Sequence, residues 1–194
     1  MKERGKLIVY TGPMFARKTT HLIEHAQEAN GNSLVLKPSK DDRYGGGDFI
    51  RSHDDEAHQA ILFDAKNPSE ILQIVADHKE LAMVLIDEVQ FCTDEIIGVI
   101  EQLLVQGLTV IAAGLDLDYK KDPFGPTLDI VSKARAEGGQ VHYLTANCDD
   151  GDCGLEAIYT YAKFPLEQIE TVGADNIFGV ACETHHATLR GDLE

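Results

Sequence analysis

Leu7-Ile8-Val9-Tyr10-Thr11-Gly12-Pro13-Met14-Phe15-Ala16-Arg17-Lys18-Thr19-Thr20 is the stretch on which the fold turns. An apolar run ends at a glycine, and helical spacing of Leu22, Ile23 and Ala26 begins directly after Lys18-Thr19, so the order reads strand, loop, helix. The loop follows the phosphate-binding pattern Gly-x-x-x-x-Gly-Lys-Ser/Thr at its first Gly, its Lys and its Thr, while Arg17 occupies the second Gly position. The chemistry accounts for this spacing. Successive backbone N–H groups between Gly12 and Thr20 would wrap phosphates at a helix N-terminus. Lys18 would reach the outer phosphates, and the Thr19 hydroxyl would ligate Mg²⁺. Glycine at position 17 would let the main chain approach closely. Arginine is compatible there if its backbone is right-handed and its side chain turns to solvent.

Outward from this loop the pattern alternates. Ser33–Lys37 reads as a strand, and the polar stretch from Pro38 to about Asp55, with Gly45-Gly46-Gly47, reads as a mobile loop. Ala60–Phe63 reads as a short strand. Asn67 and Pro68 open a helix carrying Ile71, Leu72 and Val75. Leu81–Ile86 is an apolar strand closed by Asp87-Glu88. Thr93 caps a helix through Gln106, with Ile96, Ile97, Ile100 and Leu104 on one face. Leu108–Ala113 is a strand, Leu128–Ala136 a helix, and Gln140–Leu144 a final strand. Continuous apolar strands separated by helices indicate an α/β fold, a parallel sheet flanked by helices on both faces. After residue 145 the pattern gives way to short segments, cysteines and paired histidines. The expected division is therefore 1–145 and 146–194.

The bulk composition narrows the function classes. The chain has 194 residues, 43% hydrophobic and 26% charged, with a formal net charge of −16. Dispersed negative charge repels a polyanion, so a nucleic-acid coat is disfavoured, whereas one nucleotide can be held by local donors and a metal ion. No apolar run approaches membrane-spanning length, and Leu7–Tyr10 is too short for the core of a secretory signal. A cytoplasmic protein with reduced cysteines is expected, with no membrane partner.

Asp87-Glu88 closes an apolar strand, and acids there sit where ligands bind in parallel sheets. Asp87 is suited to holding Mg²⁺ directly or through water. A helix-capping acidic turn is the plainer alternative. At the other end of the chain, Cys148 and Cys153 supply one pair of thiols, and Cys182 with His185 a Cys-x-x-His pair. Cys₃His is a common structural zinc set, with His186 open as the alternative fourth ligand. Cys92 stands apart and reads as a packed thiol.

Taken together, these stretches resemble the type II thymidine kinases, the human cytosolic and bacterial type, over nearly the whole chain. The loop Gly12–Thr20 is similar to that family's Gly-Pro-Met-Phe-Ser-Gly-Lys-Ser-Thr. Lys37-Pro38-Ser39-Lys40-Asp41-Asp42-Arg43-Tyr44 resembles its Lys-x-x-x-Asp-x-Arg-Tyr, and Ser52-His53-Asp54 its Ser/Thr-His-Asp. Asp87-Glu88-Val89-Gln90-Phe91 resembles Asp-Glu-x-Gln-Phe, and Gly114-Leu115-Asp116 through Pro123-Phe124-Gly125 the substrate-side loop. The cysteines fall where the family carries a zinc-bound module, although its first pair is usually Cys-x-x-Cys and here the gap is wider.

The resemblance implies a P-loop NTPase-like fold with a small zinc-binding domain whose lasso loop covers the substrate. It implies transfer of the γ-phosphoryl group of ATP to the 5′-hydroxyl of thymidine, giving dTMP for nucleotide salvage. Glu88 would be the general base, and Asp87, Val89 and Gln90 would join the nucleotide site. Lys18 and Arg43 would stabilise the transferring group, with Asp41 organising metal or water. Arg43 reads equally well as a solvated loop arginine. Thymine would be enclosed by Met14, Phe91, Leu115, Tyr119, Phe124, Thr160, Ile169, Gly173 and Phe178. Tyrosine is usual at the last of these, and core packing is the alternative for each aromatic. A homotetramer and feedback inhibition by dTTP are also implied. Two other readings stay open: a catalytically inactive nucleotide-binding regulator, suggested by Arg17, and a phosphate-loop hydrolase. A nucleotide acceptor would need more cations than the loops offer.

Overall fold

The computed structural model describes residues 3–39, 49–51, 57–166 and 176–190. Alternation along the strands sorts side chains to two faces of one sheet, and the helices cover what that exposes. The strands are β1 (Leu7–Thr11), β2 (Ser33–Pro38), β5 (Ile61–Phe63), β6 (Met83–Ile86), β7 (Thr109–Gly114) and β8 (Gln140–Tyr143). They pair in parallel in the order β5-β2-β6-β7-β1-β8. The loop strand β1 and the acidic strand β6 are thus both neighbours of β7 and not of each other.

On one face Leu7, Val9, Leu34, Leu36, Val84, Ile86, Val110 and Ala112 pack against three helices. These are α2 (Glu70–Ala76), α3 (Glu95–Val105) and α4 (Thr127–Ala136). The interleaved residues Tyr10, Val35, Leu85, Ile111 and Ala113 meet Leu22, Ile23 and Ala26 of α1 (Lys18–Glu28) on the other. Complete burial of a Leu or Ile contributes roughly 1.5–3 kcal/mol, so α3, with Ile96, Ile100 and Leu103 at 0% exposure, is firmly anchored. Outside these layers, Arg4 joins Glu101 of α3 and Glu137 beyond α4, and Lys133 joins the same two carboxylates. Arg4 first, then Lys133, holds the Glu101 carboxyl at about 2.

The stretch expected to be a continuous loop carries structure where it is described. Strand β3 (Phe49–Arg51) pairs antiparallel with β4 (Ala57–Gln59). Ile50, 2% exposed, packs with α1 while its two neighbours face outward. One buried residue between polar runs is too little pattern to reveal a strand. Thr93 makes no side-chain cap, since α3 opens after Asp94 with no capping side-chain bond. The expected helix near Asn67 begins a little later, at Glu70, whose carboxylate accepts the Asp64 N–H at 2.9 Å.

Beyond β8 come two small antiparallel pairs. Strand β9 (Ala146–Asn147) pairs with β10 (Glu156–Ala157), and β11 (Tyr159–Ala162) with β12 (Phe178–Ala181), before the short helix α5 (His186–Arg190). Among the described residues no helix is long and apolar enough to cross a membrane.

Candidate active site

Gly12 follows β1 with φ 135°, where an added Cβ would lie 2.2 Å from the Leu144 carbonyl oxygen. Glycine is required there on both counts. Phe15 and Arg17 both have φ of 61°, so the loop turns through two left-handed residues before α1 begins. Such left-handed steps let neighbouring amides face one concavity, the geometry that suits an anion. The right-handed backbone that would have excused Arg17 is absent. The other half of that condition is met, because its side chain is exposed.

A left-handed conformation costs an L-residue about 1–2 kcal/mol. Glycine would remove this but forfeit roughly 0.5–1 kcal/mol of backbone entropy. Arg17→Gly should therefore leave thermal stability equal or slightly raised and activity at least equal, as melting curves and turnover would show. A marked loss of turnover would mean that the guanidinium has been drawn into the site.

Lys18 Nζ donates to the carbonyls of Gly12 at 3.2 Å and Pro13 at 2.6 Å, which places its ammonium over the loop. The Thr19 hydroxyl donates to Asp87 Oδ2 at 3.0 Å, joining the start of α1 to the end of β6. The other Asp87 oxygen accepts the Glu88 N–H at 3.0 Å. Asp87 is thus locked, 5% exposed, beside a hydroxyl. These hard oxygens fit Mg²⁺. Glu88 is left-handed, φ 53°, and half-buried, a strain that accumulates at functional sites. Gln90 donates to its carboxylate.

Met14, Leu115, Tyr119 and Phe178 form a third apolar cluster together with Ala157, Ala162 and Val180, and Phe124 packs against it. Rings of Tyr119 and Phe178 are 6.2 Å apart, and those of Phe91 and Phe124 meet edge-on at 5.6 Å. Thr160 Oγ1 accepts the Met14 N–H at 3.0 Å, so β11 is bonded to the phosphate loop itself. Of the residues the sequence singled out, Lys40, Asp41, Asp42, Arg43, Tyr44, Ser52, His53, Asp54, Ile169 and Gly173 lie outside the described residues. The loop, the acidic corner and the apolar wall are joined by hydrogen bonds from Thr19 to Asp87, from the Met14 N–H to Thr160 and from the Leu115 N–H to Gln90.

Cys148, Cys153, Cys182 and His185 bring their ligand atoms within 4.8 Å of one another. Cys153 and Cys182 sulfurs are 3.6 Å apart, and His185 Nδ1 lies 3.5 Å from Cys182 and 3.9 Å from Cys148. Tetrahedral Zn²⁺ with ordinary bond lengths spaces its ligands by roughly 3.5–3.8 Å. The set fits zinc. His186, the alternative ligand, instead meets the Tyr159 ring edge-on at 5.3 Å. The wider cysteine gap is absorbed by a turn in which Cys153 N–H reaches the Asp150 carbonyl at 2.9 Å. Burial works against ionisation of Cys182, but main-chain N–H groups of His185 and Thr184 and the two facing thiols hold it below the usual thiol range. Cys92 is a packed thiol that burial pushes up to about 12.

One connection was not read from the sequence. Lys121 Nζ lies 3.8 Å from the centre of the Tyr159 ring and 3.6 Å from the carboxylate of Glu183, which adjoins Cys182 of the Cys₃His cluster. The loop carrying Tyr119 and Phe124 is thereby tied to the cysteine module. Lys121 is itself left-handed, φ 72°, and a lysine in such a turn offers no sequence signal for a partner so far along the chain.

The fold and the loop define an α/β protein of the phosphate-loop class. A family model described as thymidine kinase matches residues 5–186. A thymidine kinase of Ureaplasma urealyticum serovar 10 is 35% identical, the alignment covering 95% of this chain and 84% of the relative. The chain belongs to the thymidine kinase family.

Proposed function

We propose that the protein transfers the γ-phosphoryl group of ATP to the 5′-hydroxyl of thymidine, giving ADP and dTMP for nucleotide salvage. The observation that carries this reading is the 3.0 Å meeting of Thr19 with Asp87, which brings the loop and the acidic corner together. Thr19 and Asp87 would hold Mg²⁺, which supplies neutralisation of phosphate charge when bound. Backbone N–H groups of residues 15–19 cradle the phosphates, and Lys18 leaves its carbonyl partners for their oxygens. Glu88 accepts the proton of the sugar hydroxyl as that oxygen attacks phosphorus, while ADP departs with the cleaved bond's electrons. Arg43 is assigned to the charge developing on the transferring group.

Thymine is assigned to the wall of Met14, Leu115, Tyr119, Phe124 and Phe178, with Phe91 beside it and Thr160, Ile169 and Gly173 completing the enclosure. Zinc held by Cys148, Cys153, Cys182 and His185 is structural. A cytoplasmic homotetramer with dTTP as feedback ligand, and a division near residue 145, complete the reading. Deoxyuridine is a candidate second acceptor.

The left-handed Arg17 favours one alternative, a nucleotide-binding regulator without turnover. Coupled ADP release measured with and without thymidine separates these readings. Thymidine-dependent release supports the kinase, release without acceptor supports a hydrolase, and Mg-ATP binding without release supports the regulator.

A further inference from the structure

Gln90 is 3% exposed and spends both ends of its amide on neighbours at the acidic corner and Leu115. Its Oε1 accepts the Leu115 N–H at 3.1 Å, and its Nε2 donates to the Glu88 carboxylate. The amide's orientation follows from chemistry: a main-chain N–H can only donate, so the oxygen must face Leu115 and the NH₂ must face Glu88.

The backbone around Gln90 leaves room for nothing else. An added Cβ at Gly114 would lie 2.8 Å from Gln90 Oε1, and one at Gly125 would lie 2.1 Å from the Gln90 carbonyl oxygen. Gly125 also has φ 54°, whereas Gly114 needs glycine for space alone. Glu88, being left-handed and half-buried, cannot rely on its own backbone preference to aim its carboxylate.

We infer that Gln90 is a positioning residue, holding the Glu88 carboxylate towards the acceptor hydroxyl and coupling that aim to Leu115 in the acceptor wall. The inference rests on the reading of Glu88 as the base. It assigns Gln90 a role apart from the nucleotide contacts expected of its motif. One side chain joins the group that takes the proton to the wall that seats the acceptor. A misplacement of about 1 Å at a reacting group can cost on the order of 100-fold in rate.

Two substitutions of similar size separate the halves of the amide. Gln90→Met removes both bonds. Turnover should fall roughly 10- to 100-fold, the thymidine KM should rise because the Leu115 N–H loses its acceptor, and the ATP KM should stay within about twofold. Gln90→Glu keeps an oxygen for Leu115 but sets a second carboxylate against Glu88. Turnover should fall at least as far while the thymidine KM stays near that of the parent.

Steady-state kinetics for both substrates and melting temperatures are measured on each variant, with Glu88→Gln alongside. Turnover within about twofold of the parent in both variants overturns the inference. So does a fall of turnover and melting temperature with a parallel rise of both KM values, which is what a packing role alone would produce. Should Gln90→Met fail to fold, the split in Gln90→Glu decides. If Glu88→Gln turns over like the parent, the base assignment itself fails, a result independent of the Gln90 series.

Discussion

Glu88→Gln is expected to lower turnover by roughly 10²–10⁴-fold, the usual worth of a positioned proton acceptor, while Mg-ATP affinity stays within about twofold. The substitution keeps size, and the new amide oxygen can still accept from Gln90 Nε2. Asp87 keeps its bond to Thr19, and Lys18 its place over the loop. What is lost is the capacity to take the hydroxyl proton as oxygen attacks phosphorus. Calorimetry with Mg-ATP and single-turnover product formation give the two quantities. Near-parental product formation would remove Glu88 from proton transfer. A parallel loss of Mg-ATP binding would move its charge to the metal instead.

Removing the metal from the Cys₃His set should act elsewhere. Structural zinc contributes on the order of 10–16 kcal/mol in small zinc-folded peptides, so its loss should loosen the module around β11 and β12. Two links would carry that loosening to the acceptor side: Thr160 to the Met14 N–H, and Glu183 to Lys121. Met14 is the phosphate loop's link to the module, whereas Lys18 is held over the loop carbonyls and Thr19 is held by Asp87 at the end of β6. Thymidine affinity should therefore fall about tenfold or more, the ~1.4 kcal/mol of one lost buried hydrogen bond, before triphosphate affinity changes. Titration of both ligands against metal content, with Cys182→Ser as the genetic counterpart, tests this. Undiminished thymidine binding by metal-free protein would break the link.

Much of this was legible in the sequence, and for identifiable reasons. Strands β1, β2, β6 and β7 are apolar runs buried on both faces, and α3 carries a full stripe; both are local patterns that tertiary structure had no cause to override. The Cys₃His set was legible because its two pairs keep ligand spacing at either end of a short segment. Strand β3 was not, since Ile50 alone is buried in it. The handedness of Arg17 was not legible either, because the pattern names a glycine position without saying which backbone a substitute will adopt. The apolar wall draws on Met14, Leu115, Tyr119 and Phe178, residues joined only by the closing of the chain. The motifs' resemblance named them, and no periodicity could have.

Strand β7 contributes no reacting side chain, yet it fixes how far apart the reacting ones stand. With strands about 4.8 Å apart, its presence between β1 and β6 sets the ends of those two strands roughly 10 Å from each other. That is a gap wide enough for the proposed transfer of a phosphoryl group between donor and acceptor. Its small residues Ala112 and Ala113 face opposite layers and keep both helical coverings close. A bulkier side chain at either would tilt one bank of the gap against the other, lengthening the jump without touching a single atom that takes part in it.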